Sequence, residues 1–418
     1  MEKLSKNINF YQKIKKIFFP FYRSKNIKIL FNLLEKDKSK DSQVAMFVGG
    51  CVRKFLNNEF IDDIDIATIF SPDEIKEKLK DSNIKIIDTG IEHGSMTVIV
   101  NSDKFEITTL RQDTETDGRH ADVAFIDSWK QDSQRRDFTI NAIYMNSRGK
   151  IYDPQSGRED LKNNKINFIG NPSTRIEEDY LRIIRYLRFC VQYNIKHSDP
   201  KIINAIKLNL NGIKSLSKER ILNELYKIFN LKNINIILEN EEIKNIFLLI
   251  FPEFKYLKRI EKYTFYKNPE LIFSILLIDE KDNYEYFCHK YKVSNNLRKS
   301  LSFNANNYIK FKEEKNFLKK DLKKNIYNHG KENIKSLIKF IYCAELKFSA
   351  KLLASLLNEV DRIEIPNFPF GGKYLKEQGL AEGKEIGFIL KRLEKEWLDK
   401  DFNLDAGEAI SIIKKIKN

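Results

Sequence analysis

The alternation of apolar and polar positions divides the chain into a strand-rich first part and a helical remainder. Residues 44–48 form a short apolar run that meets Gly49-Gly50, which predicts a strand entering a tight turn. Residues 52–56 read as the first turns of a helix, and 61–68 as a strand that carries Asp63 and Asp65. The stretch SPDEIKEKLK predicts an amphipathic helix with Ser71 as N-cap and Pro72 in its first turn. Two β-rich runs, 96–100 and 104–110, flank Asn101-Ser102-Asp103 as a hairpin, and 142–145 and 150–152 flank a second turn containing Gly149. Between the hairpins, RQDTETDGRHADV (111–123) is polar, lacks apolar periodicity and reads as a mobile loop.

From about residue 155 the period becomes helical. Residues 177–193 place Leu181, Ile184 and Leu187 on one stripe, predicting a single buried-faced helix. Beyond Ser215, KERILNELYKIFNL and IKSLIKFIYCAELKFSAKLLASLL repeat that spacing, with breaks at Pro252 and Pro269. Eight of the sixteen glycines lie at or before Gly170 and none between Gly212 and Gly330, so turns belong to the first part and long helices to the second. Glycines and prolines return in PNFPFGGKYLKEQGLAEGKEIGFILKRLEKEWL, marking a small closing subdomain ahead of a last Lys-rich helix. The expected class is α+β: a mixed sheet with helices, then all-α structure.

At 418 residues the chain exceeds one compact unit, and two to four domains are expected. A formal charge of +15 suits a polyanionic partner, although Lys, Asn and Ile are over-used throughout and part of the excess carries no function. Cys51, Cys190, Cys288 and Cys343 are scattered without a C-x-x-C pair, which indicates neither a zinc site nor a disulfide framework. Five histidines without an H-E-x-x-H argue against a metallohydrolase. The N-terminal KIKKIFFPFY is too short for a signal-peptide core, and the apolar runs 246–251 and 271–278 fall far below a membrane span. A cytoplasmic protein with no membrane association is expected.

The candidate chemistry begins at VGGCVRKFLNNEFIDDIDIAT (48–68). Strand side chains alternate faces, so Asp63 and Asp65 are expected to point the same way. Two carboxylates side by side repel unless a cation lies between them, and Mg²⁺ takes hard oxygen ligands of this kind, completing its shell with phosphate and water. A solvated acidic strand edge is the plainer alternative, but the preceding glycine turn can bring backbone N–H groups up to a phosphate. Arg53, three residues past Gly50, would aim back at those phosphates. Glu106 in KFEITTLR is a candidate third carboxylate or an ordinary exposed strand residue. In RRDFTINAIYMN, Arg136 reads as a triphosphate clamp beside Arg135, and Asp137 as structural. Asp179, Arg182, Arg185 and Arg188 recur every third residue, so neighbours share a helix face. Such a row is commonly a solvated salt-bridge ladder. Its chemical alternative is specific: a carboxylate only accepts and a guanidinium only donates. An Asp–Arg pair could therefore accept from an exocyclic amine and donate to the adjacent ring nitrogen. Cytosine and adenine fit that pattern; uracil and guanine do not.

These segments in this order, with FEITTLR, DGRHADVAF, YDPQSGREDLKNNKINFIGNP and RIEEDYLRIIRYLRF, resemble the class II tRNA nucleotidyltransferase (CCA-adding enzyme) and bacterial poly(A) polymerase family. The likeness covers roughly residues 44–190, and the terminal GGKYLKEQGLAEGKEIGFILKRLEKEW is similar to that family's tail. The resemblance implies a nucleotidyltransferase-type head at 25–153 after an extension at 1–24, a helical neck at 154–232, and a helical body and tail at 233–418 that binds tRNA. It implies Mg²⁺-dependent addition of C, C and A from CTP and ATP to the tRNA 3′ end, with the acceptor and T-arm gripped by the body. Asp63 and Asp65 match the metal-binding catalytic pair. Gly50, Arg53 and Arg136 match nucleotide-contacting positions; Asp179, Arg182, Arg185 and Arg188 match the nucleotide-selecting neck. The 111–123 segment corresponds to the loop associated with switching from C to A addition. Cys51 stands where alanine is commoner, and Asp62 where lysine is frequent. A poly(A) polymerase or an enzyme adding only A or only CC shares these motifs, and a non-catalytic RNA-binding protein with a relic site is the rival from another class.

Overall fold

A computed structural model describes residues 20–417 apart from 37, 40–41, 81, 117–120, 266, 315 and 381–382. Residues 1–19 of the expected N-terminal extension thus lie outside the described residues. The chain divides into two compact units, Met1–Pro252 and Glu253–Asn418.

The first unit opens with helix α1 (Lys25–Leu34), capped by Ser24, whose side chain accepts from the Ile27 amide. Strand β1 (Ala45–Val48) runs into helix α2 (Gly50–Leu56), and β2 (Asp65–Thr68) follows. Helix α3 (Pro72–Leu79) carries the expected Ser71 cap, completed as a capping box by Glu74. Strands β3 (Lys85–Gly90), β4 (Ser95–Val100) and β5 (Asp103–Thr109) come next, then β6 (Arg111–Thr116) and β7 (Ala121–Phe125). After helix α4 (Trp129–Gln134), β8 (Tyr144–Met145) and β9 (Ile151–Tyr152) complete a seven-stranded sheet of order β3-β4-β5-β2-β1-β8-β9. The β2–β5 pair is parallel and every other pair antiparallel, so the sheet is mixed as expected. Both predicted hairpins form, with Asn101 (φ 55°) and Gly149 (φ 83°) at their turns.

One face of the sheet buries the main core of this unit. Ile27, Leu30, Phe31 and Leu34, one stripe of α1, meet Ile75 and Leu79 of α3 over Phe47, Ile66, Val98, Phe105 and Ile107. The opposite face carries a smaller cluster of Met46, Val48, Ala67, Leu110 and Tyr144. By strand alternation Asp65 shares this second face with Ala67. The face that holds the polar site is therefore the thinly covered one.

Three expectations are corrected. The aspartate strand is shorter than read: β2 begins at Asp65, and residues 61–64 precede it. The Asp62 side chain accepts the Asp63 amide at 3.0 Å, a local bond that competes with ladder pairing. The Ile64 carbonyl still accepts from the Glu106 amide at 3.1 Å, so the chain just after Asp63 stays hydrogen-bonded to β5. The polar 111–123 segment is not a loop in its flanks: β6 and β7 pair antiparallel, from Arg111↔Phe125 to Thr116↔Ala121, with 117–120 outside the described residues. Finally, 177–193 is not one helix. Helix α5 (Gly157–Lys162) leads to α6 (Pro172–Glu178), and α7 (Leu181–Gln192) starts only after a break at Asp179. Asp179 is extended (φ −156°, ψ 103°), and its carboxylate accepts the Leu181 amide at 3.1 Å, which ends one helix and orients the next.

Helices α8 (Pro200–Asn209), α9 (Lys218–Phe229), α10 (Ile236–Glu239) and α11 (Glu241–Ile250) close the first unit, with α9 packed along α7. The regular elements among the described residues of the second unit are all helices, including Pro269–Leu277, Asn295–Glu313 and Lys331–Ala344. The anticipated closing subdomain packs Gly372–Glu377, Lys384–Asp399 and Ala406–Lys417 around Trp397, Ile389 and Leu393. Among the described residues no helix is long and apolar enough to cross a membrane.

Candidate active site

The site grows from the Gly49-Gly50 turn. Gly49 holds φ 70° and ψ −123°, a conformation open to glycine and strained for any side chain. A Cβ at Gly49 would stand 3.8 Å from Asp65 Oδ2 and 4.0 Å from Arg136 Nη1, so a carboxylate and a guanidinium converge above the turn. These groups border a cleft of about 600 Å³ within the first unit. Gly50, Arg53, Asp63, Asp65, Arg136, Arg185 and Arg188 all line it. Asp179 and Arg182 do not.

Asp65 is partly buried and Asp63 exposed. Burial pushes the Asp65 carboxyl up; Arg136 opposes this, while Asp63 and Glu106 add to it, and on balance the pKa is raised. Glu106 lies beside Asp65 in the parallel β2–β5 register and accepts from Thr97 Oγ1 at 2.7 Å. The donor set fits a magnesium ion: two neighbouring carboxylates, one of them half-desolvated, with no cation hydrogen-bonded to either among the described residues. No group of three or more His, Cys, Asp or Glu forms a closed cage among those residues, so the rest of such an ion's shell would come from phosphate and water.

Each arginine of the cleft is held by a different device. Arg53 is 5% exposed; it donates to Asn141 Oδ1 and to Tyr193 Oη (2.6 Å) and lies 4.8 Å from the Phe189 ring centroid. Its guanidinium thus ties α2 to α7 rather than reaching freely toward the cleft. Arg136 donates through Nε and Nη2 to Asp132 Oδ2, at 3.2 and 3.0 Å. Arg185 forms a 2.6 Å ion pair with Asp137, and Arg188 donates from Nε to Glu224 at 2.7 Å. Burial pushes the Asp137 carboxyl up, but Arg185, Asn141 and the Phe138 amide overcome it and hold it at about 2. Glu224 is likewise lowered, Arg188 and Lys227 outweighing its burial.

The neck residues expected to select the base are engaged elsewhere. Asp179 pairs with Arg220 at 2.8 Å, and Arg182 donates to Glu178 and to the Arg175 carbonyl, each at 2.5 Å. Arg175 in turn donates to the carbonyls of Arg135 and Arg136, at 2.5 and 2.7 Å, and so fixes the backbone of that pair.

Sequence reasoning missed Asp132, Arg175, Arg220 and Glu224. Asp132 stands four residues before Arg136, a helical spacing that signals a partner. Glu224 falls among Ile221, Leu225 and Ile228, on the apolar face of α9, where an unpaired carboxylate would be costly. Arg175 and Arg220 carry no comparable local signal.

Residues 45–167 match the Poly A polymerase head domain. Over 387 residues the chain is 33% identical to the human mitochondrial CCA tRNA nucleotidyltransferase 1, covering 90% of this chain and 88% of the relative. It is 31% identical to the CCA-adding enzyme of Staphylococcus saprophyticus, covering 92% and 96%. The chain belongs to the CCA-adding tRNA nucleotidyltransferases. Its fold is also that of a solved CCA-adding enzyme from Bacillus stearothermophilus in complex with CTP, with a TM-score of 0.73 at 21% identity over 94% of this chain and 98% of that one. The Thermotoga maritima CCA-adding enzyme complexed with tRNA matches at a TM-score of 0.62, 20% identical over 95% and 97%. In this nucleotidyltransferase, Asp63, Asp65, Arg136, Arg185 and Arg188 line one cleft of the first unit.

Proposed function

We propose that this chain adds C, C and A in turn to the 3′ end of tRNA, taking CTP and ATP as substrates and releasing pyrophosphate without a nucleic-acid template. Family membership supports the reaction, and one geometric observation carries it: Asp63, Asp65, Arg136, Arg185 and Arg188 line one cleft together with the Gly49-Gly50 turn. In each step the terminal 3′ oxygen bonds to the α-phosphorus, the bond to the β,γ-pyrophosphate breaks, and the hydroxyl proton is lost to solvent. Magnesium ions held by Asp63 and Asp65 would supply activation of the hydroxyl and charge neutralisation of the leaving group. Arg136, Arg185 and Arg188 offer donors to the phosphates, and Gly50 lets the chain come close to them. Arg53 braces the turn against the neck.

Base selection falls to Asp179 and Arg182. Reading an amine and a ring nitrogen requires Asp179 to exchange Arg220 for the base, and Arg182 to release Glu178. The unpaired, buried cysteines fit a reducing compartment, and we infer a cytoplasmic location; cell fractionation that places the protein in an organelle would overturn it.

The test offers purified protein a tRNA lacking its 3′ end, with each labelled triphosphate in turn and together. Expected are two C additions, one A addition, a halt, and loss of activity in EDTA restored by Mg²⁺. An extended A tail or A-only growth would establish the poly(A) or partial-adding alternative. No incorporation under any divalent ion would sink the proposal.

A further inference from the structure

Arg136 is pulled in two directions. On one side stands Asp65, whose carboxyl is pushed up by burial and pulled back down by the Arg136 charge, and on the other stands Asp132. Asp132 is completely buried, and its carboxylate is used up: Oδ1 accepts from Arg135 Nε (2.8 Å) and the Arg111 amide (3.4 Å). Oδ2 accepts from Arg136 Nε and Nη2 and from the Tyr144 hydroxyl, the last at 2.6 Å. Tyr144 also accepts from Arg136 Nε at 3.1 Å. Burial pushes the Asp132 carboxyl up, yet the two arginines and Tyr144 hold it well below the usual carboxylate range, so it is an anion at any working pH.

A guanidinium is a rigid fork, and clamping the Nε–Nη2 edge decides where Nη1 points. Here Nη1 is the atom 4.0 Å from the Gly49 Cβ position, and Asp65 Oδ2 is 3.8 Å from the same point. The clamp stands on rigid structure, because Tyr144 is paired in register with Val48, the residue that leads into the glycine turn. Without the clamp, Asp65 is a nearby anion for Arg136, since Arg136 is the charge that acts most strongly on its carboxyl. An arginine swung onto Asp65 would occupy the oxygen that a metal ion needs and withdraw the donor that a phosphate needs.

We infer that Asp132, assisted by Tyr144, is a positioning residue that holds Arg136 off Asp65 and presents its Nη1 edge over the Gly49-Gly50 turn. The inference rests on the reading of Asp65 as a metal ligand and of Arg136 as a phosphate contact. Its consequence is unusual for a structural salt bridge: losing Asp132 should harm metal binding through Arg136, so removing Arg136 as well should repair it.

The experiment compares wild type, Asp132→Asn, Arg136→Ala and the double variant. One readout is the Mg²⁺ concentration giving half of the ion-induced rise in melting temperature, measured without nucleotide or tRNA. The second is KM for CTP, ATP and tRNA. Asp132→Asn should raise half-saturating Mg²⁺ about tenfold and raise KM for both triphosphates by a similar factor, with KM for tRNA changed less than about twofold. In the double variant half-saturating Mg²⁺ should return to the wild-type value while KM for the triphosphates equals that of Arg136→Ala. Metal effects that multiply in the double variant, or a lower melting temperature with all affinities intact, would overturn the inference. Should Asp132→Asn fail to fold, Tyr144→Phe in the same cycle carries the test, with a smaller loss that vanishes once Arg136 is alanine. Arg136→Ala with normal triphosphate KM would instead refute the phosphate role of Arg136, and the metal readout would still decide for or against Asp132.

Discussion

The Asp137–Arg185 pair allows a quantitative prediction. Asp137 Oδ2 receives Arg185 Nε at 2.8 Å and Nη2 at 2.6 Å, while Oδ1 receives the Phe138 amide and Asn141. Its carboxyl is held at about 2 against an ordinary 3.8. A separation of that size corresponds to stabilisation on the order of 2 kcal/mol when the group is ionised in both states. Because the folded value is the lower one, this contribution is complete above about pH 4 and disappears as pH falls through about 2. Asp137→Asn keeps the shape and removes the charge, so wild type should exceed the variant by about 2 kcal/mol at pH 7 and by progressively less below pH 4. Urea titrations at pH 7, 5, 3.5 and 2.5 measure the gap. In a Trp397→Phe background Trp129 is the remaining tryptophan and reports on the first unit. A gap that stays constant, or widens in acid, would refute the assignment of that stability to an ionised carboxylate.

Other outcomes can be checked directly. Since burial raises the Asp65 carboxyl, protons compete with metal there, and the Mg²⁺-induced rise in melting temperature should shrink between pH 7.5 and pH 5; an equal rise at both pH values would contradict the ligand role. Asp179→Ala should relax discrimination against UTP and GTP by about tenfold or more, read from single-turnover incorporation, and unchanged selectivity would end the template reading. Gly157→Ala would place a Cβ 2.1 Å from the Thr139 carbonyl oxygen, so a loss of about 3 kcal/mol in unfolding free energy is expected, and a wild-type melting curve would show the contact to be relaxed in solution. Affinity for tRNA should fall steeply as salt rises from low to physiological strength, and a flat filter-binding response would count against phosphate-led recognition.

Much of the head was legible because its signals are local. The Ser71-Pro72 helix entry, the Asn101 and Gly149 turns and the aspartates after the glycine turn each rest on one short segment. Helix α1 carries a regular stripe of Ile27, Leu30, Phe31 and Leu34, a pattern equally legible but with no chemical motif attached to it. The edge strand β3, KIIDTG, escaped because its side chains are largely exposed and do not alternate. The break at Asp179 was hidden by an uninterrupted apolar period on either side, where one aspartate bonding to a nearby amide outweighed the pattern. Within the site, residue types were readable but most pairings were not. Glu178 stands four residues before Arg182 and is readable as its partner, but nothing in the spacing of Asp179, Arg185 and Arg188 reveals that Arg220, Asp137 and Glu224 hold them, since those partners are distant in the chain.

The thiol of Cys51 lies beneath Asp65, 3.3 Å from the Val48 carbonyl and 3.5 Å from that of Asp65, and burial together with the Asp65 charge pushes it up to about 12. Its three counterparts are enclosed as well, with Cys288 pushed up to about 11 and Cys343 to about 12 by burial. Such sulfurs are poor nucleophiles toward maleimides and iodoacetamide. A single cysteine introduced on the surface can therefore be tagged selectively in the otherwise native chain, so spin-label or fluorophore distances can be measured across the cleft without first stripping out the natural thiols.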